Sequence, residues 1–201
     1  METVGRSREK KLLHQLQEEK KSHFVAVYGR RRIGKTFLIR NYFKTFNFYH
    51  TGIATVGTSE QLDAFYKSLQ HYSNKEIQKP TTWFEAFDSL KKIITSSRKS
   101  KKVIFIDELP WLDTAKSNFL PALEHFWNSW ASDRDDVLLL VCGSATSWIV
   151  KKIFNNKGGL HNRVTQKINL KPFTLRETEE FLQTKNIILN RYQIIKANMV
   201  V

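Results

Sequence analysis

The sequence predicts an α/β fold, a doubly wound parallel sheet with helices on both faces, and three observations predict it. Residues 29 to 36 read Gly-Arg-Arg-Arg-Ile-Gly-Lys-Thr, a complete G-x-x-x-x-G-K-[ST] phosphate loop set between an apolar run and a helix-compatible stretch. The run Val103-Ile104-Phe105-Ile106 ends in Asp107-Glu108. A third run, Val137-Leu138-Leu139-Leu140-Val141-Cys142, leads straight into Gly143-Ser144. Buried parallel strands read as continuous apolar runs, and they deliver ligand-binding residues at their carboxyl ends.

The first strand is Phe24-Val25-Ala26-Val27-Tyr28, directly before Gly29, and a helix is expected from Lys35 to about Phe46 with Leu38, Ile39, Tyr42 and Phe43 on one face. Glycines let backbone N–H groups wrap around phosphate oxygens, and the helix that follows points the positive end of its dipole at them. The nucleotide-contacting set is Gly29, Arg30, Arg31, Arg32, Ile33, Gly34, Lys35, Thr36 and Phe37. Lys35 reaches the β and γ oxygens as a catalytic group, and the Thr36 hydroxyl holds Mg²⁺. Because backbone amides do the cradling, the Arg30 to Arg32 side chains either point outward, pair with acids, or draw anionic nucleotide inward.

A second strand is expected over residues 47 to 52, with helices near 59 to 73 and 82 to 98. One strand thus separates the loop from the acids, the arrangement of nucleotidases with an extra strand and a catalytic Glu. Asp107 would support Mg²⁺ and Glu108 would polarise the attacking water as general base. The guanine-reading Asn-Lys-x-Asp is missing, since Asn74-Lys75 is followed by Glu76-Ile77, so adenine is the expected base. Trp83, Phe84, Phe87, Leu90 and Ile94 form a core face before the acidic strand, and Leu120, Leu123, Phe126, Trp127 and Trp130 form another after Asp113.

Two readings stand for Ser144: a γ-phosphate sensor that positions the water beside Glu108, or the N-cap of a helix over residues 146 to 154, a place Thr146 could also fill. Two also stand for Arg163, which precedes a fifth strand over residues 164 to 170. It is either an arginine finger acting in its own or a neighbouring subunit, or one more solvated Arg. His50, His161 and Cys142 show no metal-ligand spacing.

These residues carry a resemblance. The loop from Gly29 to Thr36, Phe105-Ile106-Asp107-Glu108-Leu109-Pro110-Trp111, Cys142-Gly143-Ser144-Ala145, and residues 159 to 163 leading into Leu170-Lys171-Pro172-Phe173 are similar to the prokaryotic AAA+/STAND-type P-loop ATPases of the archaeal-ATPase family. Val4-Gly5-Arg6 with Glu9 and Leu12-Leu13 resembles the N-terminal box, whose Gly-Arg pair opens a helix near the adenine. The resemblance implies ATP/ADP and Mg²⁺ as cofactors and a three-layer P-loop NTPase sheet in the order 5-1-4-3-2. It divides the chain into a box helix (1–22), the ATPase core (23–170) and the beginning of a helical lid (171–201), with lid helices over 174–184 and about 190–201. Family members continue into a winged-helix region and often a nuclease-like domain. The apolar ending Met199-Val200-Val201 reads as a truncation within the lid.

The chain has 201 residues, 41% hydrophobic and 12% aromatic, enough for one sizeable core plus the start of a lid. Its longest purely apolar run falls far below the ~18 residues a membrane helix needs, and the charged start lacks a signal-peptide apolar region. A single Cys excludes an intrachain disulfide, which fits a cytoplasmic protein. Lys and Arg number 33 against 19 Asp and Glu, a net charge of +14. That excess attracts polyanions, yet the basic pairs are scattered, and both nucleic-acid contact and a solvated basic surface are open readings. The expected function is Mg²⁺-dependent ATP hydrolysis driving a conformational change, with homo-oligomers in prospect. The alternatives are a nucleotide-gated switch or scaffold with slow hydrolysis, a nucleic-acid-remodelling ATPase, and a basic nucleic-acid module with a vestigial loop.

Overall fold

Five strands form one parallel sheet in a computed structural model that describes residues 4–155, 158–160 and 162–200. They are β1 (His23–Tyr28), β2 (Phe48–Thr51), β3 (Lys102–Asp107), β4 (Val137–Gly143) and β5 (Gln166–Asn169), and their order is β2-β3-β4-β1-β5. Read from the other edge this is the expected 5-1-4-3-2. Every neighbouring pair is parallel, with His23 opposite Leu138, Val103 opposite Leu138, Thr51 opposite Asp107 and Val25 opposite Gln166.

Strand periodicity splits the core in two. Phe24, Ala26, Ile104, Ile106, Leu139 and Val141 face α3 (Thr58–Tyr72), α4 (Trp83–Ser96) and α5 (Phe119–Phe126). Val25, Val27, Val103, Phe105, Leu138 and Leu140 face α1 (Ser7–Glu18) and α2 (Lys35–Tyr42), which contribute Leu13, Leu16, Leu38 and Ile39. Alternate side chains point to opposite faces, and both faces are covered, so β3 and β4 are buried at every position. This is the three-layer arrangement.

Elements differ from expectation where tertiary contacts override propensity. α2 stops at Tyr42 rather than near Phe46, because Phe43 turns extended (φ −88°, ψ 110°) and Phe46 packs on Phe105 and Tyr49. β5 is limited to four residues at the sheet edge. α5 gives way to a π-helical turn, Trp127–Ala131, and α6 (Thr146–Ile149) to another, Val150–Phe154. Phe84 leaves the face assigned to it: it is exposed beside His125, while Trp83, Phe87, Leu90 and Ile94 are buried. α7 (Leu175–Thr184) and α8 (Arg191–Val200) follow the sheet, and α7 opens with a Thr174–Glu177 capping box. Val201, the last residue of the expected second lid helix, lies outside the described residues.

Candidate functional site

Two glycines shape the phosphate loop. β1 ends at Tyr28, whose carbonyl accepts the Leu170 N–H at 2.8 Å, drawing the exit of β5 against Gly29. A Cβ on Gly29 would lie 2.4 Å from the Leu170 carbonyl oxygen, and its φ of 146° is one that other residues avoid. Gly34 (φ 89°) caps α2 in the left-handed region, and a Cβ built there meets nothing within 4 Å, so this side of the loop is open. The side chains of Arg30, Arg31 and Arg32 are exposed, leaving the backbone to line the loop, and Phe37 is exposed on α2. Lys35 is buried, its ammonium donating to the carbonyls of Gly29 (3.0 Å) and Arg30 (2.7 Å), which ties the two ends of the loop together.

β3 brings the acids to this loop. Asp107 is buried; its Oδ2 accepts the Thr36 hydroxyl at 2.7 Å and its Oδ1 accepts the Glu108 N–H at 2.9 Å. Glu108 is left-handed (φ 47°, ψ 46°), which ends the strand and swings the chain into the 3₁₀ turn Leu109–Trp111. Its Oε2 then accepts from the Ser144 hydroxyl (3.1 Å) and, at 3.4 Å, from the Ser144 N–H. Gly143 makes this approach possible, since a Cβ there would come within 2.7 Å of Pro110 Cδ. The N-cap position of α6 is Ala145, with no side-chain cap, so Ser144 faces Glu108 instead and Thr146 is not a cap.

Cys142 lies behind the acids. Burial pushes its thiol well up, Asp107 and Glu108 push in the same direction, and Lys35 opposes them. Paired with the hydroxyl of Thr36, the Asp107 carboxylate offers hard oxygen donors, which suit Mg²⁺ held mainly by phosphate oxygens and water. Among the described residues no group of three or more His, Cys, Asp or Glu could hold a metal ion alone.

Gly5 and Arg6 open α1 as expected, and Arg6 reaches the loop. Its guanidinium donates to the carbonyls of Lys171 (2.7 Å) and Ile33 (3.5 Å) and lies 4.5 Å from the Phe173 ring centroid. Its N–H donates to Glu177 Oε1 at 2.7 Å, so the start of the chain is joined to α7. A cavity of about 430 Å³ lies between these segments, lined by Gly5, Arg6, Glu9, Thr174 and Glu177 among others. Another, of about 850 Å³, lies between residues 73 to 81 and α4 and includes neither loop nor acids; phosphate binding by backbone amides does not require an enclosed cavity.

Arg163 is not brought to this site. It is exposed and precedes β5, at the sheet edge where strands begin, whereas Gly29 follows the edge where they end. From the register the two are on the order of 20 Å apart along the strands, so its guanidinium does not reach the loop of its own chain. A finger role in the same subunit is thereby corrected. His161 lies outside the described residues. His50 is buried beside Ser68, with Nδ1 2.9 Å from the Ser68 hydroxyl. Gly143, which admits Pro110 at close range, stands directly after an apolar run in the sequence, whereas Gly52, which admits Glu108, has no such signal and was missed.

A family model for an ATPase domain predominantly from Archaea matches residues 4–192. An uncharacterized protein of Methanocaldococcus jannaschii is 27% identical over 185 residues, 89% of this chain and 38% of that protein. Among solved structures, a Walker-type ATPase of Pyrococcus abyssi superposes with a TM-score of 0.71 at 16% identity, covering 97% of this chain and 62% of that one. The Aeropyrum pernix ORC2 protein, solved as ADPNP–ADP complexes, gives 0.65 at 18% identity, covering 92% and 52%. This chain thus spans less than two thirds of each relative, and the structural likenesses attest the fold. With the family model matched over nearly its whole length, the chain belongs to the ATPase domains found predominantly in Archaea.

Proposed function

We propose that this domain binds ATP with Mg²⁺ and hydrolyses it, converting nucleotide state into a change of conformation. The observation that carries the reading is the 2.7 Å bond from Thr36 to Asp107, because it joins the loop that grips phosphate to the strand that supplies acids. Gly29 to Phe37 would contact the nucleotide, Lys35 would neutralise the β and γ oxygens, and Gly5 and Arg6 would border the base. Thr36 and Asp107 would hold Mg²⁺, which supplies charge neutralisation on the phosphates. Glu108 would accept a proton from the attacking water, and Ser144, already bonded to its Oε2, would orient that carboxylate and sense the γ-phosphate.

Arg163, exposed and away from the loop, is suited to a neighbouring subunit, which supports homo-oligomers as the working state. We assign residues 1–22 to a box helix, 23–170 to the core and 171–201 to the beginning of a lid. The bond between Arg6 and Glu177 is the route by which nucleotide would bias α7. Winged-helix or nuclease-like regions in the whole protein and a STAND-type role rest on the resemblance, and a cytoplasmic location rests on the single Cys. A nucleic-acid partner is supported by the net charge of +14.

The test is Glu108→Gln. ATP affinity should be retained within about twofold while turnover falls about 10²–10⁴-fold; equal turnover in the two proteins would remove Glu108 from the chemistry.

A further inference from the structure

Strands β2 and β3 run together up to the acids and then part. Thr51 stands opposite Asp107, and the Gly52 N–H donates to the Asp107 carbonyl at 3.0 Å. One residue on, Glu108 enters the left-handed region and the chain leaving β3 turns away, while the chain leaving β2 runs through Gly52 into Ile53. Parallel strands that diverge leave backbone groups without partners in the fork. A buried amide costs free energy unless it finds one.

The Gln61 side chain fills this fork. It projects from the first turn of α3 and is fully buried, at 0% exposure. Its Oε1 accepts the Ile53 N–H at 3.1 Å, and its Nε2 donates to the Ile53 carbonyl at 2.6 Å and to the Trp111 carbonyl at 2.9 Å. One amide thus stands in for the missing peptide of a neighbouring strand, tying the end of β2 to the turn that begins at Glu108. A further bond, Thr58 Oγ1 to Thr114 Oγ1 at 2.6 Å, joins the start of α3 to the segment after the turn and lies outside the fork. Gly52 completes the wedge, since a Cβ there would lie 2.7 Å from the Glu108 carbonyl oxygen.

We infer that Gln61 is a positioning residue for the reaction: by holding Ile53 and Trp111 at a fixed separation it keeps Glu108 turned toward Ser144, where its carboxylate meets the water. The inference rests on the function proposed for Glu108. It predicts a split between binding and turnover, because the Gln61 amide bonds to neither the phosphate loop nor Lys35. An ionised carboxylate at this place would oppose two carbonyl oxygens, whereas its protonated form could donate to one of them.

The experiment compares the wild type with Gln61→Leu, Gln61→Glu and Glu108→Gln, reading Mg-ATP affinity, turnover and backbone hydrogen exchange. In Gln61→Leu, exchange should rise at residues 52–54 and 108–112 and stay unchanged at 29–36, with affinity within about twofold and turnover down about 10- to 100-fold. Gln61→Glu should recover turnover relative to the wild type as the pH is lowered from about 8 to about 6, as its carboxyl takes up a proton. Unchanged exchange at 108–112 in Gln61→Leu overturns the inference whatever the turnover. So does wild-type turnover in that variant, or a fall in affinity that matches the fall in turnover. Equal turnover in wild type and Glu108→Gln is a different result: it removes the role proposed for Glu108 and leaves the exchange measurement to decide whether Gln61 holds the turn.

Discussion

Glu108 stores strain at the centre of the site, since a left-handed non-glycine residue costs about 1–3 kcal/mol, and the surrounding bonds to Asp107, Ser144 and Trp111 offset it. Its place beside the loop was legible in the sequence, because acids at the end of a buried parallel strand emerge at the carboxyl edge where the loop lies. Its conformation was not, since φ at a single residue is set by neighbours as remote in sequence as Gly52 and Ser144. Gln61 gave no signal, as one Gln in an amphipathic helix reads as part of the polar face. His50 carries a prediction at this scale. Its Nδ1 meets the Ser68 hydroxyl, which itself donates to the Ala64 carbonyl, so Nδ1 is the protonated nitrogen and Nε2 is left buried without a partner. Burial pushes the imidazole down to about 4 from its ordinary 6.5. Between those values the unfolded chain takes up a proton that the folded chain refuses, so stability is complete above about 6.5 and falls as pH drops toward 4. At ~1.36 kcal/mol per decade the loss reaches about 3 kcal/mol. Urea unfolding at about pH 7 and about pH 5 should show a smaller difference in His50→Gln than in the wild type, and equal differences would contradict the assignment.

Strands and loops divide by how local their causes are. β1, β3 and β4 were legible because burial on both faces demands unbroken apolar runs, which nothing else in this chain supplies. The π-helical turns after α5 and α6 were not, since an extra residue per turn leaves the apolar spacing nearly unchanged over so short a stretch. α2 was overextended because Phe43 and Phe46 continue a helical face while tertiary packing against Phe105 claims Phe46. The contact between the exits of β1 and β5 gives the prediction for elements. Gly29→Ala puts a methyl against the Leu170 carbonyl and forces φ to change, so the domain should lose at least about 1–3 kcal/mol of stability. Denaturant unfolding measures it, and a midpoint equal to the wild type would show that this strand junction yields freely.

At the scale of the whole molecule, part of the positive charge is already committed. Lys101 donates to the carbonyls of Glu19 and Lys21, Lys102 bonds to Asp136, and Arg134 pairs with the same carboxylate while lying over Trp130. These cations fasten the sheet edge opposite the phosphate loop, so the sequence clusters overstate the charge free to meet a polyanion. The convergence of loop and acids at one edge was legible, because parallel strands deliver both at their carboxyl ends, whereas the sheet order came from the resemblance. The distance of Arg163 follows from the same parallel order, because a residue that precedes a strand stands at the end of the sheet away from the loop. On the proposed function, what unites the molecule is a single nucleotide site at the carboxyl edge. Calorimetric titration of the wild type and Lys35→Ala with ATP, ADP and GTP in Mg²⁺ tests that claim most directly. Saturable binding of ATP and ADP to one site is expected, with weaker binding of GTP and at least about a tenfold loss of ATP affinity in Lys35→Ala; no binding heat with ATP, or equal affinity in both proteins, would rule out a nucleotide site there.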